Sequence, residues 1–246
     1  NTKTAMTSAT GYGIDVDDKY VYLTGETANP ETIVGGLVSV VALNVADGSL
    51  KYQKAFDPVP GSVDRGYAIK SDGKGNLYIG GLSNGRGFLA RLTGVQSEEP
   101  SLNWLQNVNM GVGSNVNGID VDSNGDAILS LDRRGAQTFF SMARVDTSGK
   151  LVWGKTYPGN FGDKSNTNFV KVAGDSVFVG GRIGQGDFDA QMGDGLVLKL
   201  NKGSGALDWG SFHFSGKGPD ELSEHRVKGI ALMGDSLYVG GQVYTG

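Results

Sequence analysis

Six arginines, Arg65, Arg86, Arg133, Arg134, Arg182 and Arg226, and one histidine, His225, fall beside or inside glycine-rich turns of this chain. A guanidinium is a planar fork of donors that suits carboxylate, sulfate or phosphate oxygens, and several around one mouth would concentrate an anionic ligand. Acids occupy the same stretches, among them Asp64, Asp132, Asp187, Asp189, Asp220, Glu221 and Glu224. Local pairing between solvated loop charges is therefore the plainer reading. His225, in Ser223-Glu224-His225-Arg226, is placed where a general base at a channel mouth would sit, but no serine has the Gly-x-Ser-x-Gly setting of an exposed nucleophile. His213 reads as a sheet position, and two distant histidines make no metal set.

A second constellation is Asp120, Asp122, Asn124 and Asp126, with Gly125 at the bend. Oxygens at alternate positions around a glycine are how a calcium loop opens. The twelfth position of such a loop needs a bidentate glutamate, and here it is Leu131. Turns at the same place elsewhere, Asp72-Gly73-Lys74-Gly75-Asn76, Ala173-Gly174-Asp175 and Met233-Gly234-Asp235, keep the glycine and vary the oxygens. The pattern reads first as a hairpin turn and second as a calcium site, and no other cofactor is expected.

These residues are strung on a repeat. Short apolar runs end at Gly25, Gly81, Leu131, Gly181 and Gly241, spaced 56, 50, 50 and 60 residues apart, and four of them finish in Gly-Gly or Thr-Gly. A period near fifty, built of short strands and glycine turns, is that of a β-propeller blade. Each unit divides into four strands, a to d: in the second, Gly66–Lys70, Leu77–Gly81, Phe88–Leu92 and Leu102–Gln106. Alternation such as Leu196/Leu198/Leu200 against Val197/Lys199 has period two, and helical periodicity is missing. The fold expected is all-β, a propeller of four-stranded blades in a single domain over 1–246. Its blades fall at about 11–56, 65–108, 116–157 and 167–214, with half of a fifth at 225–246. Tyr52, Trp104, Trp153 and Trp209 share one place in strand d, as expected of side chains that pack each blade on the next. Exposed blade edges invite strand pairing, so the ring is expected to be completed by further sequence or another chain, self-assembly included.

Composition narrows the partners. A net charge of −4 argues against nucleic acid, and no apolar stretch approaches the roughly 20 residues of a membrane span. Forty-one glycines and six prolines fit a sheet protein rich in tight turns. Cysteine is absent, which removes disulfides and thiolate chemistry. The start, Asn1-Thr2-Lys3-Thr4, reads as a processed or excised terminus.

Three motifs together resemble the bacterial β-propeller repeat family often called SBBP. They are the strand a–turn run seen in Gly118-Ile119-Asp120-Val121-Asp122 and Gly13-Ile14-Asp15-Val16-Asp17, the Tyr-x-Gly-Gly or Tyr-x-Thr-Gly end of strand b, and the run Ala143-Arg144-Val145-Asp146-Thr147-Ser148-Gly149-Lys150-Leu151-Val152-Trp153. Kelch repeats share the Gly-Gly ending, and Ala143–Trp153 is similar to the docking motif of quinoprotein repeats. The resemblance implies a secreted or cell-surface protein. It leads to the expectation of a non-enzymatic extracellular binding or structural propeller that presents loops to a protein or glycan. The alternative is a quinoprotein-, lyase- or hydrolase-like enzyme working at the channel mouth.

Overall fold

The computed structural model describes residues 9–28, 36–108, 110, 114–133, 140–157, 166–184, 193–213 and 223–245. Among them are eighteen β-strands and no helix. The chain divides into two compact units, Asn1–Asn109 and Met110–Gly246.

The first unit holds β1 (Ala9–Val16), β2 (Tyr20–Ala28), β3 (Gly36–Asn44) and β4 (Leu50–Phe56) in one sheet. A second sheet is made of β5 (Asp64–Ser71), β6 (Asn76–Ser83), β7 (Arg86–Thr93) and β8 (Ser101–Asn107). The second unit holds β9 (Ser114–Val121), β10 (Ala127–Arg133), β11 (Phe140–Val145) and β12 (Leu151–Tyr157), then β13 (Asn166–Ala173), β14 (Ser176–Gly184), β15 (Gly193–Asn201) and β16 (Leu207–His213). The hairpin β17 (Ser223–Met233) and β18 (Ser236–Thr245) follows, joined to β15 by a single parallel pair at Gly193 and Glu224. Each set of four strands is an antiparallel meander, as the repeat in the sequence requires, and the β17–β18 hairpin extends the last of them.

Each core lies between successive sheets. In the first unit Tyr22, Val40, Ala42 and Tyr52 of one sheet pack with Ile69, Leu77, Ile79, Phe88 and Ala90 of the next. In the second, Ile128 and Met142 pack with Val177, Val179, Leu196 and Leu198, with Trp153 and Tyr157 against the cluster. Runs such as Leu77-Tyr78-Ile79 are buried on both faces of the strand, which is why they are apolar without alternation.

Two register shifts recur that period-two patterning does not show. Strand a of every unit skips one residue: Tyr12, Tyr67, Asn117, Asn168 and Lys228 stand out of register. Strand d of each sheet skips another: Lys51, Asn103, Val152 and Asp208. The strand a bulge bends the backbone onto strand b. A Cβ on Gly25 would stand 1.8 Å from the carbonyl oxygen of Thr10, and one on Gly81 the same distance from that of Arg65. The diglycine ending is therefore a demand of the bulge rather than of the turn that follows.

Turns are closed by side chains in a repeated way. The carboxylates of Asp17, Asp72 and Asp122 each accept backbone N–H groups two and three or four residues on, and Asp47 and Asp146 cap the strand c–d turns alike.

Between sheets, an acid meets a base at one register position. Asp15 stands opposite Tyr22; it accepts the Ser71 N–H at 2.7 Å and pairs with Lys70 Nζ at 2.7 Å. In the second unit Asp120, opposite Ile128, accepts the Val172 N–H at 2.7 Å and pairs with Lys171 Nζ at 3.2 Å. Lys70 and Lys171 themselves occupy that same position in their own strands, opposite Tyr78 and Phe178. Acidic and basic sheets thus alternate within each unit.

Candidate functional site

The arginines do not lie in loops as the sequence reading places them, because the bulged strands run further than the apolar pattern. Arg65 lies in β5, Arg133 in β10, Arg182 in β14, and His225 and Arg226 in β17, while Arg86 opens β7. Arg134, Asp187 and Asp189 fall outside the described residues, as do the side chains of Arg133, His213, His225 and Arg226.

Arg65 builds the best-defined site. Its Nε donates to Glu26 at the end of β2, and its guanidinium also bonds Tyr67, the bulge residue of its own strand. The hydrogen bond to Glu26, followed by that to Tyr67, holds the guanidinium protonated far above its ordinary range. Tyr12, the bulge residue of β1, stacks edge-on against Tyr67 with ring centroids 5.2 Å apart. Burial first, then the Glu26 carboxylate, pushes the Tyr12 phenol up. Arg65 and Glu26 border a cavity of about 210 Å³ that is also lined by Thr10, Thr27, Gly36 and Val63. Both bulges aim an aromatic side chain at this end of the sheets, as bulges do beside functional sites. The pocket offers an ion pair and the side chains of two threonines, a set that binds polar groups by hydrogen bonding. Glu26 lies 39 residues from Arg65, and no local motif announces the pair.

The other arginines differ from it. Arg86 is exposed on a two-residue turn whose Asn84 has φ 47° and Gly85 φ 73°. Arg182 is 7% exposed and faces its own sheet neighbours Asn166 and Gly195 in register.

The oxygens of the suspected calcium loop are directed elsewhere. Asp122 closes the turn by accepting the Asn124 and Asp126 N–H groups at 2.9 and 3.0 Å, with Gly125 at φ 91°. Its other oxygen meets Lys202 at 3.3 Å and Arg144 at 3.6 Å. Burial raises the Asp122 carboxyl, but the two N–H donors and Lys202 outweigh it and hold the group below its ordinary value. Asp126 takes Arg144 at 3.0 and 2.8 Å, and Asp120 serves the clasp to Val172 and Lys171. Among the described residues, no three His, Cys, Asp or Glu side chains gather as a metal set.

The run Ala143–Trp153 also has a visible task. Trp153 Nε1 donates to the Lys202 carbonyl at 2.9 Å, and the indole lies on Gly205 of the next sheet's turn. Tyr52 is similarly buried in the first unit, whereas Trp209 packs beside Phe178 and stays 42% exposed. No helix among the described residues is long and apolar enough to cross a membrane.

The chain matches no protein-family model and no curated protein. Solved structures do share its fold. A quinohemoprotein alcohol dehydrogenase from Comamonas testosteroni matches at TM-score 0.55 and 13% identity, over 96% of this chain and 40% of that one. A second, from Pseudomonas putida HK5, matches at 0.53 and 14%, over 94% and 38%. A GH43 β-1,3-galactosidase matches at 0.51 and 10%, over 87% and 52%. These are propeller proteins, and the likeness supports a β-propeller fold here. The chain spans about two fifths of the length of the two dehydrogenases it matches. At such identities the comparison speaks for fold and not for chemistry.

Proposed function

We propose that this chain is a section of an SBBP-type β-propeller acting outside the cell or at its surface as a non-enzymatic binding and structural module. Four full blades and half of a fifth belong to this section, and further sheets of the same kind complete the ring. The observation that carries the reading is an apolar face with no cover among the described residues. Ile14 is 68% exposed and Val16 59% in β1, whereas Ile69 and Ile119, which hold Ile14's register position in β5 and β9, are 5% and 8% exposed. At the other terminal element, Tyr238 is 54% exposed while its register equivalents Tyr22 and Tyr78 are fully buried. Within the first unit Tyr22 and Ile69 bury these faces against the neighbouring sheet in one core, so a sheet of that kind is the partner the uncovered face fits. The Arg65–Glu26 pocket supports the presentation of strand ends to a polar protein or glycan surface.

Sedimentation velocity over a concentration series tests the reading. The chain is expected to associate, and the double substitution Ile14→Glu and Val16→Glu is expected to abolish that association while leaving the far-UV circular dichroism unchanged. If wild type and variant both stay monomeric up to about millimolar concentration, the face is no docking surface and the proposal falls.

A further inference from the structure

The connection from β4 to β5, residues 57–63, brings together carboxyls that are foreign to the repeat. Asp64 opens β5 and is fully buried, while its register equivalents are Ala9 in β1 and Ser114 in β9. Asp57 directly follows β4 and is half-buried. Each carboxyl is anchored on one side. The Ser62 hydroxyl donates to Asp64 Oδ1, and the backbone N–H groups of Val59 and Gly61 donate to Asp57.

What remains is a set of oxygens without partners. Asp57 Oδ1 and Asp64 Oδ2 are both buried and accept no hydrogen bond, and the two side chains stand within hydrogen-bonding reach of each other. Ser83, directly across from Asp64 in the ladder and 1% exposed, has a buried hydroxyl that is also without a partner. Arg65, next along the chain, is taken by Glu26, and among the described residues neither carboxyl belongs to an ion pair. Two carboxylates in contact through buried oxygens, with no counter-charge among the described residues, are unfavourable unless something positive lies between them. A shared proton is one answer. Burial first, then the neighbouring Asp64, pushes the Asp57 carboxyl up in that direction, whereas a divalent cation neutralises both groups without protonation.

We propose that Asp57, Asp64 and Ser83 form a binding site for a hard divalent cation, calcium, that fixes the β4–β5 connection beside the Arg65–Glu26 pocket. The donors are all oxygen, which favours calcium over zinc, and an irregular set of two carboxylates and a hydroxyl suits calcium's flexible coordination better than the strict octahedron of magnesium. Water fills the remaining positions on the side where Asp57 meets solvent. With only two acids the expected affinity is that of extracellular modules, about 10⁻⁴–10⁻³ M.

Isothermal titration with calcium chloride at pH 7, paired with thermal unfolding with and without calcium, tests the assignment. Wild type should give a saturable heat in that range and a melting temperature that rises with calcium. Asp64→Asn and Asp57→Asn should each abolish both effects, and Ser83→Ala should weaken binding about 3- to 10-fold. Asp57→Asn, at the half-buried position, keeps the test open if Asp64→Asn fails to fold. No heat and no thermal shift in wild type up to about 10 mM calcium overturns the site, leaving a shared proton as the resolution of the pair. A calcium response undiminished in Asp57→Asn overturns it equally.

Discussion

Replacing Gly205 by alanine separates two costs that are usually mixed. Gly205 has φ +66°, and a Cβ there would stand 2.9 Å from both Cε3 and Cζ3 of Trp153. Gly174 has nearly the same backbone, φ +55°, with nothing within 4 Å of its Cβ. Gly174→Ala therefore reports backbone strain alone, about 1–2 kcal/mol for a left-handed non-glycine residue. Gly205→Ala carries the same strain plus overpacking of a well-fitted aromatic contact, about 1–3 kcal/mol more, for a total near 2–5 kcal/mol. The indole cannot swing away cheaply, since its Nε1 is held by the Lys202 carbonyl at 2.9 Å. Urea unfolding of both variants, followed by far-UV circular dichroism, measures the difference. A double-mutant cycle identifies its source: in a Trp153→Leu background the excess cost at position 205 should vanish, leaving Gly205→Ala equal to Gly174→Ala. Should the two alanine variants cost the same within about 0.5 kcal/mol in the parent chain, the docking of Trp153 on the next turn is not a tight contact and the reasoning fails.

Other perturbations have defined outcomes. Asp120→Ala should cost about 1–3 kcal/mol because it removes the acceptor of the part-buried Val172 N–H, whereas Lys171→Met should cost under about 1 kcal/mol because that side chain is 40% exposed; equal losses in urea unfolding would refute this ranking. Ile69→Ala should destabilise by about 2–4 kcal/mol, while Ile14→Ala changes stability by less than about 0.5 kcal/mol, and a comparable cost at both sites would mean that Ile14 is covered. The Asp122 carboxyl is held below its ordinary value of 3.8, so the unfolded chain binds more protons near that pH. Its contribution is complete above about pH 5 and drains away as pH falls through 3.8 and the lower folded value. Asp122→Asn should accordingly lose less of its urea midpoint between about pH 5 and pH 2 than the parent; parallel curves would contradict the assignment.

The repeat was legible because its punctuation is local. Diglycine endings, Asp-Gly turns and the strand d aromatics all lie within a few residues of the structure they specify, and the four meanders follow from them. The Asx turns at Asp72 and Asp122 are contacts over four residues or fewer, which is why the turns there are legible in the sequence. Long-range pairings left no such trace. Glu26 and Arg65 are 39 residues apart, and Asp15 and Lys70 are 55 apart. The bulges escaped notice for a different reason: one skipped residue shifts facing without disturbing an apolar run buried on both sides. That skip also explains why Arg65 and Arg182 sit in strands where the sequence reading placed loops. The aromatic series was read as uniform, yet Trp209 remains 42% exposed where Trp153 is clamped on a neighbouring turn.

The alternation of acid and base gives the array a parity. Asp15, Lys70, Asp120 and Lys171 hold equivalent places in four successive sheets, and the hairpin that follows carries the neutral Ala231 there. Within a unit, losing one sheet of the pair would leave an acid or a base without its partner at a part-buried seam, while losing or gaining the pair together keeps each clasp whole. The heritable module of this architecture is then a couplet of about one hundred residues, and lengths that change by a single sheet must first discharge a clasp, as Ala231 does.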